Sequence, residues 1–332
     1  LGLAYIASAI ISSGRAVKVL DAVASDPHHK TKYFKGYLVG MEFAEIVRRI
    51  PEDSQVIGLS CIFTHEWPCV TVLIRLIRER FPEATLIIGG EHVSSMPEFC
   101  AFTSEADIFV CGEGEETIVE VLDVLEDPTR DLRQVAGIVF VDKLNKEVVK
   151  NPRRNRCLTV DDIAAPHWES IDIDTYNAHG MVGSVPQAGK TIPILATRGC
   201  PYQCTFCSSP NMWTTKWVAR KPRLVVDEIE SYVQRYGATN FPLQDLTAII
   251  KKQWILDFCQ ELIDRKLKIT WQLPSGTRSE VIDQEVANIL SRTGMVSMAY
   301  APESGSDSTR KAIKKHVSAE KMLESIASAR RA

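Results

Sequence analysis

Two series of alternating strands and helices constrain this chain most. In the first half, QVIGLSC (55–61), ATLIIGG (84–90), ADIFVCG (106–112) and AGIVFVD (136–142) are short apolar runs rich in β-branched residues. They are interleaved with the helical spacings of CVTVLIRLIRERF (69–81) and EETIVEVLDVLE (115–126). Strands that are apolar on both faces and separated by amphipathic helices predict a parallel sheet covered on both sides. LGLAYIASAIISSG reads as a helix closed at Gly14, with a strand expected over Val17–Leu20. Opening on a helix, and stopping in SAEKMLESIASARRA without a closing strand, the alternation is expected to be a piece of a longer pattern at both ends.

The second series begins with TIPILATR (191–198). It continues through helix 223–237, strand ATNFPLQD (238–245), helix 251–265, strand LKITWQLP (267–274), helix 279–294 and strand MVSMAYAP (295–302), with a last helix starting near Asp307. Four β-then-α units with short loops predict part of a (β/α) barrel, whose functional groups gather at the strand C-termini. Between the series, residues 151–190 are polar and carry Pro and Gly with little periodicity, as in a linker. The expected organisation is a doubly wound α/β domain over 1–150, a linker over 151–190 and a partial barrel over 191–332.

The 332 residues carry a formal net charge of −3, which offers nucleic acid no basic surface. No apolar run approaches the ~18 residues needed to span a bilayer, and no secretory leader is present, so a cytoplasmic protein is expected. The nine cysteines are an odd number, which argues against a disulfide framework. Most of them fall inside apolar runs, where free thiols act as small core residues.

Three cysteines are different. RGCPYQCTFCSSP (198–210) spaces Cys200, Cys204 and Cys207 as C-x3-C-x2-C, directly after a buried strand. Structural zinc requires four closed ligands, commonly in two pairs, and no second pair lies nearby; His167 and His179 stand alone upstream. A 4Fe-4S cluster normally takes four thiolates, so three local ones leave one iron open to an exogenous ligand.

In this loop the sequence closely resembles the radical S-adenosylmethionine (SAM) superfamily. The resemblance implies a 4Fe-4S cluster on Cys200, Cys204 and Cys207 whose open iron chelates SAM, and reductive cleavage of SAM to a 5′-deoxyadenosyl radical. It implies an external electron donor such as flavodoxin or ferredoxin. APESGS (301–306) resembles the family's motif after the fourth strand, in which Glu303 would bond the ribose of SAM. Tyr202 and Phe206 would flank SAM. FPLQDLTAI (241–249) stands where relatives often carry two acidic residues facing the SAM amino group, and here reads Gln244-Asp245, a departure from that pattern. Arg278 in SGTRSE resembles a residue near the SAM carboxylate.

The first half is similar to the cobalamin-binding domain that precedes the radical SAM core in one large subgroup. The matching residues are LGLAYIASAI, Ser60, Gly89-Gly90-Glu91-His92 and Gly112-Glu113-Gly114-Glu115. Glycines at strand ends permit close approach of backbone to a cofactor, so Ser60, Gly89, Gly90, Gly112, Glu113 and Gly114 are the expected cobalamin contacts. The D-x-H-x-x-G pattern of proteins that ligate cobalt through histidine is absent, since Asp26-x-His28 is followed by no Gly at the required place. Many members of the subgroup bind cobalamin without it. His65, Glu66 and Trp67, just after the strand at 55–61, are further candidates to approach the corrin.

The resemblance implies a cobalamin-dependent methylase acting on an unactivated carbon of a small molecule. CTFCSSPNMW followed by RKPRLVVDEIE also resembles the anaerobic Mg-protoporphyrin monomethyl ester cyclases, which form a ring oxidatively. A methylthiotransferase would need three further cluster cysteines in the first half, where Cys61, Cys69, Cys100 and Cys111 stand on different elements. A non-catalytic metal-binding module would leave Glu303 and the glycine loops unused.

Overall fold

A computed structural model describes residues 1–277 and 279–332. The chain divides into two compact units. One comprises Leu1–Cys157 and Ala164–Thr175, the other Leu158–Ile163 and Tyr176–Ala332. The polar stretch 151–190 is shared between them, and Asn177 illustrates how: its side chain bonds the backbone N–H and C=O of Thr191 at 2.6 and 3.0 Å.

The first unit is built on a sheet of β1 (Val56–Ser60), β2 (Thr85–Gly89), β3 (Ile108–Val110), β4 (Ile138–Asp142) and β5 (Glu147–Lys150), in that order. Helices α1 (Gly2–Ser12), α2 (Trp67–Arg80), α3 (Glu91–Ser95), α4 (Pro97–Thr103) and α5 (Glu115–Glu126) accompany it. Alternation along each strand sends residues to two separate cores. Leu86, Ile88, Phe109 and Val139 pack in one cluster with Ile74 and Ile77 of α2. Ile87, Ile108, Val110, Ile138 and Phe140 pack in the other with Ile118 and Val121 of α5. Both faces are thus covered, which is why these strands are apolar throughout.

Two expectations fail here. The sheet is mixed: β1–β2–β3 are parallel, but β3–β4 and β4–β5 pair antiparallel. The sequence 136–150 is a hairpin whose turn is held by Asp142, which accepts from the N–H groups of Leu144 and Asn145. The strand expected over Val17–Leu20 does not form, although Lys18 is exposed between half-buried Val17 and Val19. A strand is defined by its ladder, and among the described residues no neighbour pairs with that segment. A two-stranded hairpin, Lys30–Tyr33 with Gly36–Val39, was not foreseen.

The second unit carries β6 (Lys190–Thr191), β7 (Thr197–Arg198), β8 (Val218–Ala219), β9 (Ala238–Pro242), β10 (Thr270–Thr277) and β11 (Met295–Tyr300). Its main sheet runs β6, β9, β10, β11, all parallel and in sequence order, with α6 (Pro222–Tyr236), α7 (Lys252–Asp264) and α8 (Gln284–Arg292) in the connections. This is a partial barrel, as expected. The predicted first strand, 191–198, appears in pieces: β6 at its start, an isolated bridge between Ile194 and Leu243, and β7 at its end. Its ladder to β9 survives as Ile192 N–H to Asn240 O at 3.0 Å and Ile194 N–H to Pro242 O at 3.0 Å. No helix among the described residues is long and apolar enough to cross a membrane.

Candidate functional site

The cysteine loop leaves the C-terminal end of β7 through Gly199, which takes a positive φ of 84°. Cys200 and Cys204 are half-buried and Cys207 is exposed. Among the described residues no three His, Cys, Asp or Glu side chains converge on the position of a single metal ion. The donor set on the loop is three cysteine thiols, the kind of ligand that binds one iron each in an iron–sulfur cluster.

The loop is fixed to a distant part of the chain. Thr205 N–H donates to Ile313 O at 3.0 Å, and Cys204 Sγ lies 3.8 Å from Lys314 O. The next residue, Lys315, turns its ammonium onto Glu303 Oε1 at 3.1 Å. The run Ile313–Lys315 therefore joins the cysteine loop to the loop after β11. Glu303 itself has φ 62°, a left-handed backbone that a Glu adopts only under constraint. Arg310, 4% exposed, supplies part of it by donating to Ser304 O at 2.6 Å and pairing with Asp307. Sequence reading singled out Glu303 but missed Lys315 and Arg310; their charges, at the end of a short helix and in the turn after it, gave no local signal.

The other expected SAM contacts are placed differently. Tyr202 is half-buried, whereas Phe206 is 55% exposed. Gln244 donates through Nε2 to Gly183 O at 3.1 Å, so its amide holds residues 176–190 against the barrel. Asp245, its neighbour, is 2% exposed and accepts from the N–H groups of Ala196 and Thr197. Burial pushes its carboxyl up to about 6, opposed by these hydrogen bonds and by the charge of Arg220. Arg278 lies outside the described residues.

In the first unit the expected cobalamin residues cluster at the C-terminal ends of β1, β2 and β3, with Ser60 exposed at the first of these. Gly90 has φ 122°, and a Cβ there would stand 2.2 Å from Cys61 O. Glycine is thus required for the close passage of two loops. Alanine at 90 is expected to lower stability by about 2 kcal/mol or more, since strained backbone alone costs ~1–3 kcal/mol, and a urea melt of the apoprotein measures it. Gly112 N–H donates to Ser94 Oγ at 2.9 Å. Gly114 has another reason to be small: a Cβ would meet Ile6 of α1 at 2.9 Å. Glu113 accepts from Arg156 Nε at 2.7 Å and from Cys157 N–H at 3.0 Å, fixing the segment after the sheet.

His92, 2% exposed, shares a hydrogen bond between Nδ1 and Thr64 Oγ1 at 3.1 Å. Its Nε2 is buried without a hydrogen-bond partner, and burial holds the ring's pKa below its ordinary value. An orphaned polar atom beside strand-end loops fits a ligand rich in amide groups, as cobalamin is. Of the other candidates, Trp67 is core, donating to Thr103 Oγ1 at 3.0 Å, while His65 is exposed and stacks on Phe63. Cys61 and Cys100 sit in the apolar core, and burial pushes their thiols up to about 11 and about 12. Both act there as packing thiols.

Fold and site together define a two-unit α/β protein with a strand-end glycine surface in one unit and a three-cysteine loop in the other. Family models agree: a B12 binding domain matches residues 1–122 and the radical SAM superfamily matches residues 194–332. The chain carries a B12-binding domain ahead of a radical SAM domain. Its cofactor set follows from the two domains: cobalamin for the first, a 4Fe-4S cluster and SAM for the second.

An uncharacterized methyltransferase of Pyrococcus horikoshii is 25% identical over all of this chain and 66% of its own length. The anaerobic magnesium-protoporphyrin IX monomethyl ester cyclase of Cereibacter sphaeroides is 30% identical over 83% of this chain and 44% of its own. Among solved structures, the cobalamin-dependent SAM radical enzyme OxsB, with aqua-cobalamin and SAM bound, superposes with a TM-score of 0.77 at 19% identity, covering 99% of this chain and 45% of OxsB. That likeness carries the fold. The chain thus spans between 44% and 66% of the curated relatives named here.

Proposed function

We propose that this chain is the cofactor-binding part of a cytoplasmic radical SAM methyltransferase that methylates an unactivated carbon of a small molecule. Residues 1–150 serve cobalamin and 191–332 the cluster and SAM. The observation that carries this reading is the tie of the cysteine loop to Glu303 through Ile313–Lys315, which unites the two SAM-facing motifs. When bound, the cluster supplies the electron that cleaves SAM, and cobalamin supplies a transferable methyl group. Cys200, Cys204 and Cys207 hold the cluster and leave one iron for SAM. Glu303 would accept from the ribose hydroxyls, with Lys315 aiming its carboxylate. An acidic one-electron carrier, flavodoxin or ferredoxin, feeds the cluster. Nine free cysteines support a reducing compartment.

Lys315→Met is expected to weaken SAM binding about tenfold, the equivalent of ~1.4 kcal/mol. Calorimetric titration of the reconstituted protein with SAM reads the affinity, and an iron assay should show unchanged iron content.

The cyclase relative favours a second reading, and one experiment separates the two. The full-length protein is reconstituted anaerobically with iron, sulfide and hydroxocobalamin, then reduced with SAM and a cell extract of small molecules. A methyltransferase forms both deoxyadenosine and S-adenosylhomocysteine. A cyclase forms deoxyadenosine alone. Absence of deoxyadenosine defeats both readings.

A further inference from the structure

Where the chain leaves the barrel for the cysteine loop, its backbone hydrogen bonds have to go somewhere. Up to Ile194 they go to the neighbouring strand: Ile192 and Ile194 donate to Asn240 and Pro242, and Gln244 N–H donates back to Ile194 O at 2.9 Å. Beyond that point the N–H groups of Ala196 and Thr197 go to a side chain. Both point at one side chain. Asp245 Oδ2 accepts from Ala196 N at 3.3 Å, and Oδ1 accepts from Thr197 N. On the opposite edge, Arg220 N–H donates to Ala196 O at 3.0 Å, and Arg220 Nη1 donates to Leu195 O at 3.0 Å. Thr197 and Arg198 then pair antiparallel with Ala219 and Val218. Cys200 follows two residues later.

We propose that Asp245 is a positioning residue for the cluster: its buried carboxylate replaces the missing ladder and so sets the direction in which Gly199–Cys207 leaves the barrel. The inference rests on the reading of Cys200, Cys204 and Cys207 as cluster ligands. Asp245 acts through the backbone of residues 196 and 197 and does not touch SAM. The residue type follows from the geometry. Two N–H donors need two acceptor oxygens, and a carboxylate has both; an amide has one oxygen and turns an NH2 toward the second donor. An aliphatic side chain would leave two buried donors unmatched. A fully buried carboxylate is an unfavourable core residue, so its presence here calls for the two bonds it makes. The neighbouring polar atoms are arranged around the same point: Thr197 Oγ1 donates to Thr247 O at 3.4 Å, and Trp217 Nε1 donates to that carbonyl at 2.9 Å.

The test compares wild type, Asp245→Asn, Asp245→Glu and Thr197→Val as full-length, anaerobically reconstituted proteins. The readouts are iron per chain, the rate of iron loss to a chelator, the EPR spectrum of the reduced cluster with and without SAM, and the unfolding temperature of the apoprotein. Asp245→Asn should lose iron about tenfold faster and blunt the spectral change on adding SAM, with unfolding near that of wild type. Asp245→Glu keeps two acceptor oxygens but displaces them by one methylene, so its rate should fall between. Thr197→Val keeps the backbone N–H and should match wild type. The proposal is overturned if Asp245→Asn retains iron as wild type does, or if Thr197→Val loosens the cluster equally. Should Asp245→Asn not fold, Asp245→Glu decides: faster iron loss at unchanged unfolding temperature supports the proposal, and wild-type behaviour overturns it. A wild-type protein with no SAM-responsive cluster would instead defeat the underlying reading.

Discussion

Alanine in place of Cys200, Cys204 or Cys207, singly, is expected to abolish the iron–sulfur chromophore and to bring deoxyadenosine formation to background. Each thiolate would bind a separate iron, so no remaining ligand covers the loss. Replacing Cys61, Cys100 or Cys259 serves as the contrast. Burial holds these thiols protonated, with Cys259 pushed up to about 12, and their loss should affect packing and leave the chromophore in place. Absorbance near the visible cluster band and iron content after anaerobic reconstitution check both halves. A single loop variant that keeps the full iron content and cleaves SAM would contradict the assignment.

Trp271→Ala carries the largest expected loss of stability, about 3–5 kcal/mol, from the usual cost of truncating a buried aromatic. Trp271 on β10 is fully buried, with its ring edge-on to Phe258 at 5.4 Å; Phe258 in turn stacks on Trp254 at 5.6 Å. Its Nε1–H donates to Thr293 O at 3.1 Å, and its backbone N–H donates to Gly294 O at 3.0 Å. Alanine would leave a cavity between strand and helix and a carbonyl without its donor. Since domains are stable by only about 5–15 kcal/mol, such a loss should shift the urea midpoint strongly while leaving the slope unchanged. Trp271→Phe, which removes the donor but retains most of the ring, should lose less. A midpoint shift equivalent to under about 1 kcal/mol for alanine would show that the aromatic group is not the core of this unit.

Much of the architecture was legible because each strand reports its own surroundings. Ile87 and Ile88 face opposite cores, so both must be apolar, and a run such as TLIIG can be read as a covered strand from its composition alone. Helix α5 was placed to the residue, Glu115–Glu126, by its periodicity. Strand direction was not legible: β4 looks like any other apolar run, β5 with its charged ends was not foreseen, and the short turn held by Asp142 makes the two a hairpin. Val17–Leu20 failed for the complementary reason, since alternation describes a face but does not supply a neighbour.

The cysteine spacing and the residues around Glu303 are local motifs, and the sequence by itself determined them together with the family and cofactor classes they imply. The tertiary structure alone decided how they act on one another. Lys315 meets Glu303 across twelve residues of helix and turn, and Asp245 meets Ala196 and Thr197 across nearly fifty. It also gave several expected site residues other partners: Gln244 binds Gly183, Glu113 binds Arg156, and Gly114 makes room for Ile6. A motif is written in neighbouring residues because its chemistry is short-ranged, whereas a hydrogen bond or an ion pair is satisfied by whichever group folding brings within about 3 Å.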